Sequence, residues 1–237
     1  MTRRRWIADE VSGNRAALVG PHAEHLAVVL RARVGQAFDI SVGQSLHSAR
    51  ILSVTPQRVE FELGEELPAH TPPRLSLLLA IFKFDRMEWA IEKCTELGCA
   101  RIVPVAASRS DAHLVRAAAA RVERWQRIAR QASEQSRRTA PPLIDQPHKL
   151  KEALAISAPT RIVLAESERQ LSMREAMAEH PPHEELVLAI GPEGGWTDAE
   201  LQLFSAANWT SASLGATILR AETAAIAATA IAIAELS

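Results

Sequence analysis

Apolar and polar residues alternate at period two in two segments of the first third of the chain, residues 38–42 and 59–63. Successive side chains of a strand point to opposite faces of a sheet, so this period predicts half-buried β-strands. Residues 21–33 instead space their apolar side chains as a helix does, between a proline and a glycine,. Residues 1–70 are therefore predicted to form a small β-rich domain that contains one helix.

From residue 74 onward, short apolar runs alternate with segments of helical periodicity. The runs are too short for typical helices and predict strands over residues 75–82, 102–105, 162–165, 186–190 and 211–214,. Helical spacing predicts helices over 87–97 and 122–132, and a last helix is predicted over 221–236, apolar nearly all round between residues 224 and 234,. Strands that alternate with helices indicate a parallel α/β sheet. The proline-containing segment 67–73 is the predicted linker between the domains 1–70 and 74–237,.

The composition fits an ordinary soluble globular protein, with 47% hydrophobic and 23% charged residues,. No apolar stretch approaches the roughly 20 residues of a membrane span, and the N-terminus lacks the apolar core of a signal peptide. The spacing of Cys94 and Cys99 matches no common zinc or redox motif, and the histidines are scattered,. We therefore expect a cytoplasmic protein with reduced thiols and without a metal site.

Charge is distributed unevenly along a chain whose overall net charge is −1. The net charge is +4 over residues 1–58, +6 over 101–138 and −7 over 161–237. This asymmetry indicates an anionic partner such as RNA. The basic segments carry mainly arginine, whose guanidinium can form two parallel hydrogen bonds to a phosphate. The alternative is that arginine serves here as a general surface cation.

Two glycine turns near the C-terminus mark the candidate functional site. Residues 190–196, IGPEGGW, and residues 214–224, LGATILRAETA, each follow a predicted strand. Glycine lets a backbone turn sharply and approach a ligand closely, because no Cβ stands in the way. Thr197 and Glu200 fit a capping box, so a helix should begin after Thr197 and offer free backbone N–H groups. One such loop alone is simply a tight turn, whereas two together favour a binding site.

These residues resemble the RsmE family of ribosomal-RNA uracil-N3 methyltransferases in the SPOUT superfamily, whose motifs read GPEGG and LG-x-x-ILR-x-ETA. Residues 83–98 are similar to the family's K-x-x-RME and EK-x-TELG block, 134–138 to its EQS-x-R segment, and 25–31 to its HHL-x-x-VLR segment. The resemblance implies a PUA-like RNA-binding β-barrel over 1–70. Over 74–237 it implies a homodimeric, trefoil-knotted methyltransferase domain with helices on both faces of its parallel sheet.

The resemblance also implies S-adenosylmethionine as the cofactor and a uridine of 16S ribosomal RNA in the small ribosomal subunit as the substrate. Three segments are predicted to surround the cofactor through backbone groups and apolar side chains: Leu164, Ala165, Glu166, Ile190, Gly191, Pro192, Glu193, Gly194, Gly195, Leu214, Gly215, Ile218, Leu219, Arg220 and Thr223,. For any single leucine or isoleucine of this set, packing in an ordinary core is the alternative.

Three charged residues, Glu193, Arg220 and Glu222, are the candidates for catalysis. One of the two carboxylates could act as the general base that removes the proton from the target nitrogen. Their alternative roles are a helix-terminal charge for Glu222 and a loop hydrogen bond for Glu193. A cation is unfavourable at a helix N-terminus, so Arg220 indicates an anionic partner, either a phosphate or the cofactor carboxylate.

The candidate RNA contacts are basic residues and one histidine: Arg3, Arg4, Arg5, His25, Arg31, Lys83, Arg86, Arg109, Arg137 and Arg138. Taken singly, each is more commonly a solvated surface charge. Two alternative functions stay open, a SPOUT methyltransferase acting on another RNA and a non-catalytic RNA-binding protein of the same fold. A dinucleotide-binding enzyme is disfavoured, because no G-x-G-x-x-G follows the predicted strand 75–82,.

Overall fold

The computed structural model describes residues 5–69, 73–178 and 184–236. Contacts within the chain divide it into two compact units. The N-terminal unit takes the described residues up to 69 together with Ser133–Ala140, and the C-terminal unit takes the rest. The domain boundaries predicted from the sequence, 1–70 and 74–237, place residues 133–140 in the second domain. A long-range hydrogen bond from the Arg5 amide to the Glu134 carbonyl, 3.0 Å long, is one reason why they group with the first.

The N-terminal unit is built on a six-stranded, barrel-like sheet in the order β1-β4-β5-β6-β3-β2. Its strands are β1 Trp6–Ile7, β2 Glu10–Ser12, β3 Arg15–Val19, β4 Ala37–Val42, β5 Ser45–Val54 and β6 Arg58–Leu67. All neighbours pair antiparallel except β1 and β4, which are parallel. The alternating segments 38–42 and 59–63 lie in β4 and β6, so both predicted strands are confirmed. Inward side chains such as Leu18, Ile40 and Phe61 form its core,.

The helix predicted over residues 21–33 is confirmed as far as Val29 and is wrong beyond that residue. Helix α1, Pro21–Glu24, continues only as a π-helical turn over His25–Val29. Arg31 then takes a left-handed conformation with φ of 51°, and the Ala32 amide donates to the Leu26 carbonyl, which ends the helix,. Val29 is consequently 63% exposed, so the apolar spacing that suggested a longer helix is not a buried face.

The C-terminal unit is built on a seven-stranded sheet in the order β10-β8-β7-β12-β11-β13, with β9 also paired to β8. Its strands are β7 Leu75–Ala80, β8 Arg101–Ala106, β9 Leu143–Ile144, β10 His148–Lys149, β11 Thr160–Leu164, β12 Leu186–Ile190 and β13 Thr210–Ala212. Every pairing is parallel, which confirms the predicted parallel α/β sheet.

Helices follow most of these strands. They are α2 Phe84–Leu97, α3 Ala112–Ala117, α4 Val122–Gln135, α5 Leu150–Ala153, α6 Met173–Ala176, α7 Asp198–Ala206 and α8 Ala221–Leu236. Thr197 caps α7 in a reciprocal pair with Glu200, as the sequence predicts, and Gly98 ends α2 in the left-handed conformation,. Within the described ranges, none of the helices has the length and apolarity that crossing a bilayer requires.

Both faces of the parallel sheet are covered, which explains why β7 is apolar except for the buried Ser76. Leu77 and Leu79 face a core shared with buried residues of α2, α4 and α8. Leu78 and Ala80 face a second core, on the other side, that includes Trp196, Phe204 and other residues. Alternate residues of a strand point to opposite faces, so a strand that is covered on both faces favours apolar residues at nearly every position.

Candidate functional site

Three adjacent strands of the C-terminal unit end at the same edge of the sheet. In the parallel register, Val163 of β11 lies beside Ala189 of β12, and Leu164 of β11 lies beside Ala212 of β13. The chain segments that leave β11, β12 and β13 are therefore brought together, although they are far apart in the sequence. Ligands of parallel α/β sheets bind at the carboxyl ends of the strands.

These segments enclose a cavity with about 660 Å³ of free space, part of it open to solvent. Residues of the predicted cofactor set that line it are Leu164, Ala165, Glu166, Ile190, Gly191, Pro192, Gly195, Leu214, Gly215, Ile218 and Leu219. Four members of that set do not line it, namely Glu193, Gly194, Arg220 and Thr223. Lining residues that the sequence reading missed are Arg169, Trp196, Ser213, Thr217, Ala221 and Ala224.

Most of the missed residues lie inside or next to the two glycine motifs, so a wider reading of those motifs would have included them. Arg169 is the exception, because it belongs to the segment after β11, which carries no glycine signal. Its position at the cavity follows from the sheet order rather than from any local pattern.

The loop after β12 is a tight turn that needs its glycines. The Gly195 amide donates to the Pro192 carbonyl at 2.8 Å. Gly195 has a φ of 69°, a value that residues other than glycine rarely adopt,. A Cβ on Gly191 would lie 3.2 Å from the indole nitrogen of Trp196. Arg109 holds the loop from outside, since its Nη1 donates to the Gly194 carbonyl at 2.6 Å. Its predicted contact with RNA stays a prediction.

The indole N–H of Trp196 is buried and has no hydrogen-bond partner within the described part of the chain. Trp196 also lines the cavity, whose walls are otherwise mainly apolar side chains and glycine backbone. A buried donor without a partner is unfavourable in a folded protein. The cavity thus combines apolar faces, close backbone approach and an unused donor, as a site for a largely apolar ligand with a few polar groups does.

The second glycine turn leads directly into α8. Gly215 has a φ of 124°, and Ile218 at the cavity rim is 72% exposed. The Ala224 amide donates to the Arg220 carbonyl at 2.8 Å, so Arg220 is the last residue before the helix. Its exposed guanidinium makes no ion pair or hydrogen bond to any other described residue. Thr223 is exposed in the first turn of α8.

The two candidate acids lie on either side of one arginine. Arg86 Nη1 donates to Glu193 Oε1 at 2.8 Å, and Arg86 Nε is 3.8 Å from Glu222 Oε1. The Glu193 side chain is 39% exposed, whereas Glu222 is only 3% exposed. The second oxygen of Glu222, Oε2, is buried and accepts no hydrogen bond in the described residues.

Comparison with known proteins identifies the family. The sequence pattern of the RNA methyltransferase domain family matches residues 69–233. The ribosomal RNA small subunit methyltransferase E of Rickettsia conorii is 31% identical over 87% of this chain and 84% of its own length. The chain belongs to this methyltransferase E family. The family resemblance stated from the two glycine motifs is thereby confirmed.

Solved structures agree with the assignment. The crystal structure of the methyltransferase E from Neisseria gonorrhoeae, bound to S-adenosyl methionine, has a TM-score of 0.83 at 30% identity and covers 96% of this chain and 95% of that one. A methyltransferase from Legionella pneumophila, in complex with the same cofactor, has a TM-score of 0.83 at 28% identity, with 98% and 97% of the two chains covered.

The remaining predicted RNA contacts of this methyltransferase-family chain lie in different surroundings. Arg3 and Arg4 fall outside the described residues. Lys83, Arg31 and Arg137 are exposed, Arg138 is half-buried, and the ring of His25 packs 5.8 Å from that of Trp6. Arg5 donates to the carbonyl of Arg137, and burial together with the Arg137 charge lowers the pKa of Arg5 against the opposing effect of Asp39. Contact of these residues with RNA stays a prediction.

Glu200 ties the start of α7 to the loop after β8. Its carboxylate accepts from the Ser108 amide at 2.7 Å, from the Thr197 amide at 2.8 Å and from the Thr197 hydroxyl at 2.9 Å. Burial tends to raise the pKa of Glu200, but these hydrogen bonds outweigh it and hold the pKa below its ordinary value,. Because Arg109 follows Ser108, this carboxylate also fixes the arginine that holds the glycine loop.

We expect Glu200→Gln to reduce the free energy of unfolding by about 1–3 kcal/mol near neutral pH, because the charged acceptor of the Ser108 and Thr197 amides is lost,. A depressed pKa in the folded protein stabilises it above the unfolded pKa, and this contribution disappears as pH falls through the folded value. Urea unfolding at about pH 7 and about pH 3 should therefore show a gap between wild type and variant that closes in acid.

The matched control is Glu175→Gln, since Glu175 forms the same reciprocal cap with Ser172 at the start of α6 but is exposed. The control should change stability much less than the Glu200 variant. A Glu200 variant as stable as wild type near pH 7 would show that this carboxylate does not stabilise the loop.

Proposed function

We propose that this protein transfers a methyl group from S-adenosylmethionine to N3 of a uridine in 16S ribosomal RNA of the small ribosomal subunit. Methylation of ribosomal RNA with this cofactor follows from membership of the family and from relatives crystallised with it. The choice of uridine and of N3 is the finer part of the proposal. The observation that most supports methyl transfer from S-adenosylmethionine is the cavity at the ends of β11, β12 and β13, which both glycine motifs help to form.

The residues of the cavity fit the cofactor. Leu164, Ile190 and Leu214 offer apolar surfaces to an adenine ring, the glycine backbone allows close approach, and the Trp196 N–H is free to donate,. S-adenosylmethionine, when bound, supplies a methyl group on a sulfonium, which needs little further activation. The remaining task of the protein is to orient the acceptor and to exclude competing reactions.

The acceptor nitrogen of uracil carries a proton that a base must remove. Of the two candidate acids, Glu222 fits this role better, because it is buried and its Oε2 has no partner among the described residues. Its neighbours Ala221 and Ala224 line the cavity. Glu193 is more exposed and already accepts a hydrogen bond from Arg86. We therefore assign the proton to the Glu222 carboxylate.

Arg220 completes the proposed site as an anion-binding residue. Its guanidinium is exposed, lies next to Leu219 of the cavity wall and has no partner in the described chain. A phosphate of the RNA and the cofactor carboxylate both suit its forked donors.

We expect Arg220→Ala to lower kcat/KM for methyl transfer about 10- to 100-fold, as the loss of a hydrogen bond to a charged group does. Thermal stability should hardly change, because the side chain has no partners in the described protein. Arg174→Ala is the control, since Arg174 is 79% exposed and its one ion pair among the described residues is the exposed pair with Glu235,. Equal kcat/KM for wild type and the Arg220 variant would remove Arg220 from the site.

Three further statements belong to the same proposal. The methyltransferase domain is homodimeric and knotted as the resemblance implies, the N-terminal unit is a PUA-like RNA-binding domain, and the protein works in the cytoplasm. The exposed basic residues make RNA affinity fall with salt, with a log–log slope of about −0.9 per phosphate neutralised on duplex. Sedimentation at several concentrations tests the dimer, and a salt titration of RNA binding tests the partner.

The experiment for the proposed reaction uses purified protein, S-adenosylmethionine with a labelled methyl group and small ribosomal subunits from cells that lack the gene. Digestion to nucleosides and mass spectrometry should find the label in 3-methyluridine, and mass spectrometry of nuclease fragments should locate it at a single position of the 16S RNA. Label at a ribose hydroxyl or a ring carbon, or transfer only to another RNA, would contradict the proposal. Binding of RNA without cofactor affinity would favour a non-catalytic RNA-binding protein.

A further inference from the structure

Arg86 contacts both of the acids that the site offers as bases. It lies in the first turn of α2, with 31% of its side chain exposed. Its Nη1 is 2.8 Å from Glu193 Oε1, and its Nε is 3.8 Å from Glu222 Oε1. Glu193 belongs to the loop after β12 and Glu222 to the first turn of α8, so one guanidinium joins the two segments that carry the glycine motifs.

The buried carboxylate of Glu222 requires a nearby cation. An ionised carboxylate taken out of water is costly unless it is paired. Within the described chain, Arg86 is the one ion-pair partner of Glu222. The contact involves Oε1 alone, and Oε2 accepts nothing from the described residues. The carboxylate of Glu222 thus depends on the Arg86 guanidinium for both its charge pairing and its orientation,.

We propose that Arg86 is a positioning residue for methyl transfer. It orients the carboxylate of Glu222 through Oε1, and it fixes the glycine loop through Glu193. An arginine suits this role because its planar fork presents donors to two carboxylates at once, which the point charge of lysine does not. The inference rests on the proposed function, in which Glu222 removes the proton.

This role differs from the one that the sequence suggested for Arg86. The sequence predicts Arg86 to be one of the basic residues that contact RNA. In the structure, its guanidinium faces two carboxylates, whose combined charge exceeds its own. A guanidinium in that setting has little attraction left for a phosphate, so the two roles predict different results on RNA binding.

The test compares Arg86→Gln and Arg86→Lys with wild type in three measurements. They are kcat at saturating cofactor and RNA, the Kd of S-adenosylmethionine by calorimetry, and the salt slope of RNA affinity. For Arg86→Gln we expect kcat to fall about 100-fold, with the cofactor Kd changed several-fold at most and the salt slope unchanged. Arg86→Lys should recover part of kcat, because it restores the charge without the fork.

Two control variants separate positioning from other effects. Arg124→Gln removes a bidentate arginine–glutamate pair with Glu88, which also lies on α2. It should leave kcat unchanged, so a general loss of an ion pair on this helix cannot explain the Arg86 result. Lys83→Gln removes an exposed predicted RNA contact and should make the salt slope shallower by about 0.9.

The possible outcomes decide between the roles. A shallower salt slope in Arg86→Gln with unchanged kcat at saturation would overturn the inference and make Arg86 an RNA contact. Full activity with an unchanged slope would also overturn it. If Arg86→Gln does not fold, Arg86→Lys is used for the test. A kcat equal to wild type in Arg86→Lys would show that methyl transfer does not need a guanidinium at this position. An inactive wild type would overturn the proposed function itself, whereas an active wild type confines a failure to this inference.

Discussion

Replacing Glu222 with glutamine should lower kcat for methyl transfer by a factor of about 10² to 10⁴, the usual contribution of a general base. Glutamine keeps the shape of the side chain but cannot take the proton from the acceptor nitrogen. The Kd of S-adenosylmethionine should change little, because Glu222 does not line the cavity. Single-turnover rates with ribosomal RNA, together with calorimetry of cofactor binding, measure the two effects separately.

The fold of this variant should be intact. A buried charge is removed rather than orphaned, and Arg86 keeps its hydrogen bond to Glu193,. The control is Glu193→Gln, which removes the other candidate acid and should reduce kcat far less. If Glu193→Gln instead abolished methyl transfer and Glu222→Gln did not, the base would be Glu193 and the assignment from burial would be wrong.

Replacing Gly195 with valine should weaken cofactor binding about 10- to 100-fold. At a φ of 69°, an ordinary residue costs about 1–2 kcal/mol, and a β-branched one is a marked outlier,. The loop can relieve this strain only by moving, which disturbs the turn closed onto Pro192 and the close approach of backbone to ligand. The added atoms would also lie next to Glu166 at the cavity wall. Calorimetric titration with S-adenosylmethionine measures the loss.

Gly43→Val supplies a matched control for backbone strain. Gly43 has a φ of 59°, lies in the turn between β4 and β5 of the N-terminal unit and would place its Cβ in open space. Both variants should lose a similar free energy of unfolding, whereas only the Gly195 variant should lose cofactor affinity. Equal cofactor affinity in the Gly195 variant and wild type would show that the ligand does not need this turn.

Local patterns predicted much of the C-terminal unit. The apolar run that became β12, the Thr197–Glu200 cap of α7 and the limits of α8 each depend on residues close together in the sequence. In such cases the short-range physics of caps, turns and periodicity is also what decides the structure. The glycine motifs marked the cavity for the same reason, since their backbone conformations are set within a few residues.

Long-range contacts could not be predicted in this way. The pairing of Arg86 with Glu193 joins residues 107 positions apart, and nothing near either residue signals the other. Arg169 reaches the cavity only because β11 lies between β12 and β13 in the sheet. The helix predicted over residues 21–33 ends early for a local reason, because Arg31 takes the left-handed conformation. The knot is a prediction from resemblance, since knots are rare and no periodicity encodes them.

The most direct test of the account is a crystal structure of the protein with S-adenosylmethionine at saturating concentration. We predict the cofactor in the cavity of the C-terminal unit, its adenosine between residues 164–166, 190–195 and 214–219, with the Trp196 indole N–H at hydrogen-bond distance from it. An empty cavity under conditions where calorimetry shows binding, or the cofactor bound elsewhere in the molecule, would contradict the account.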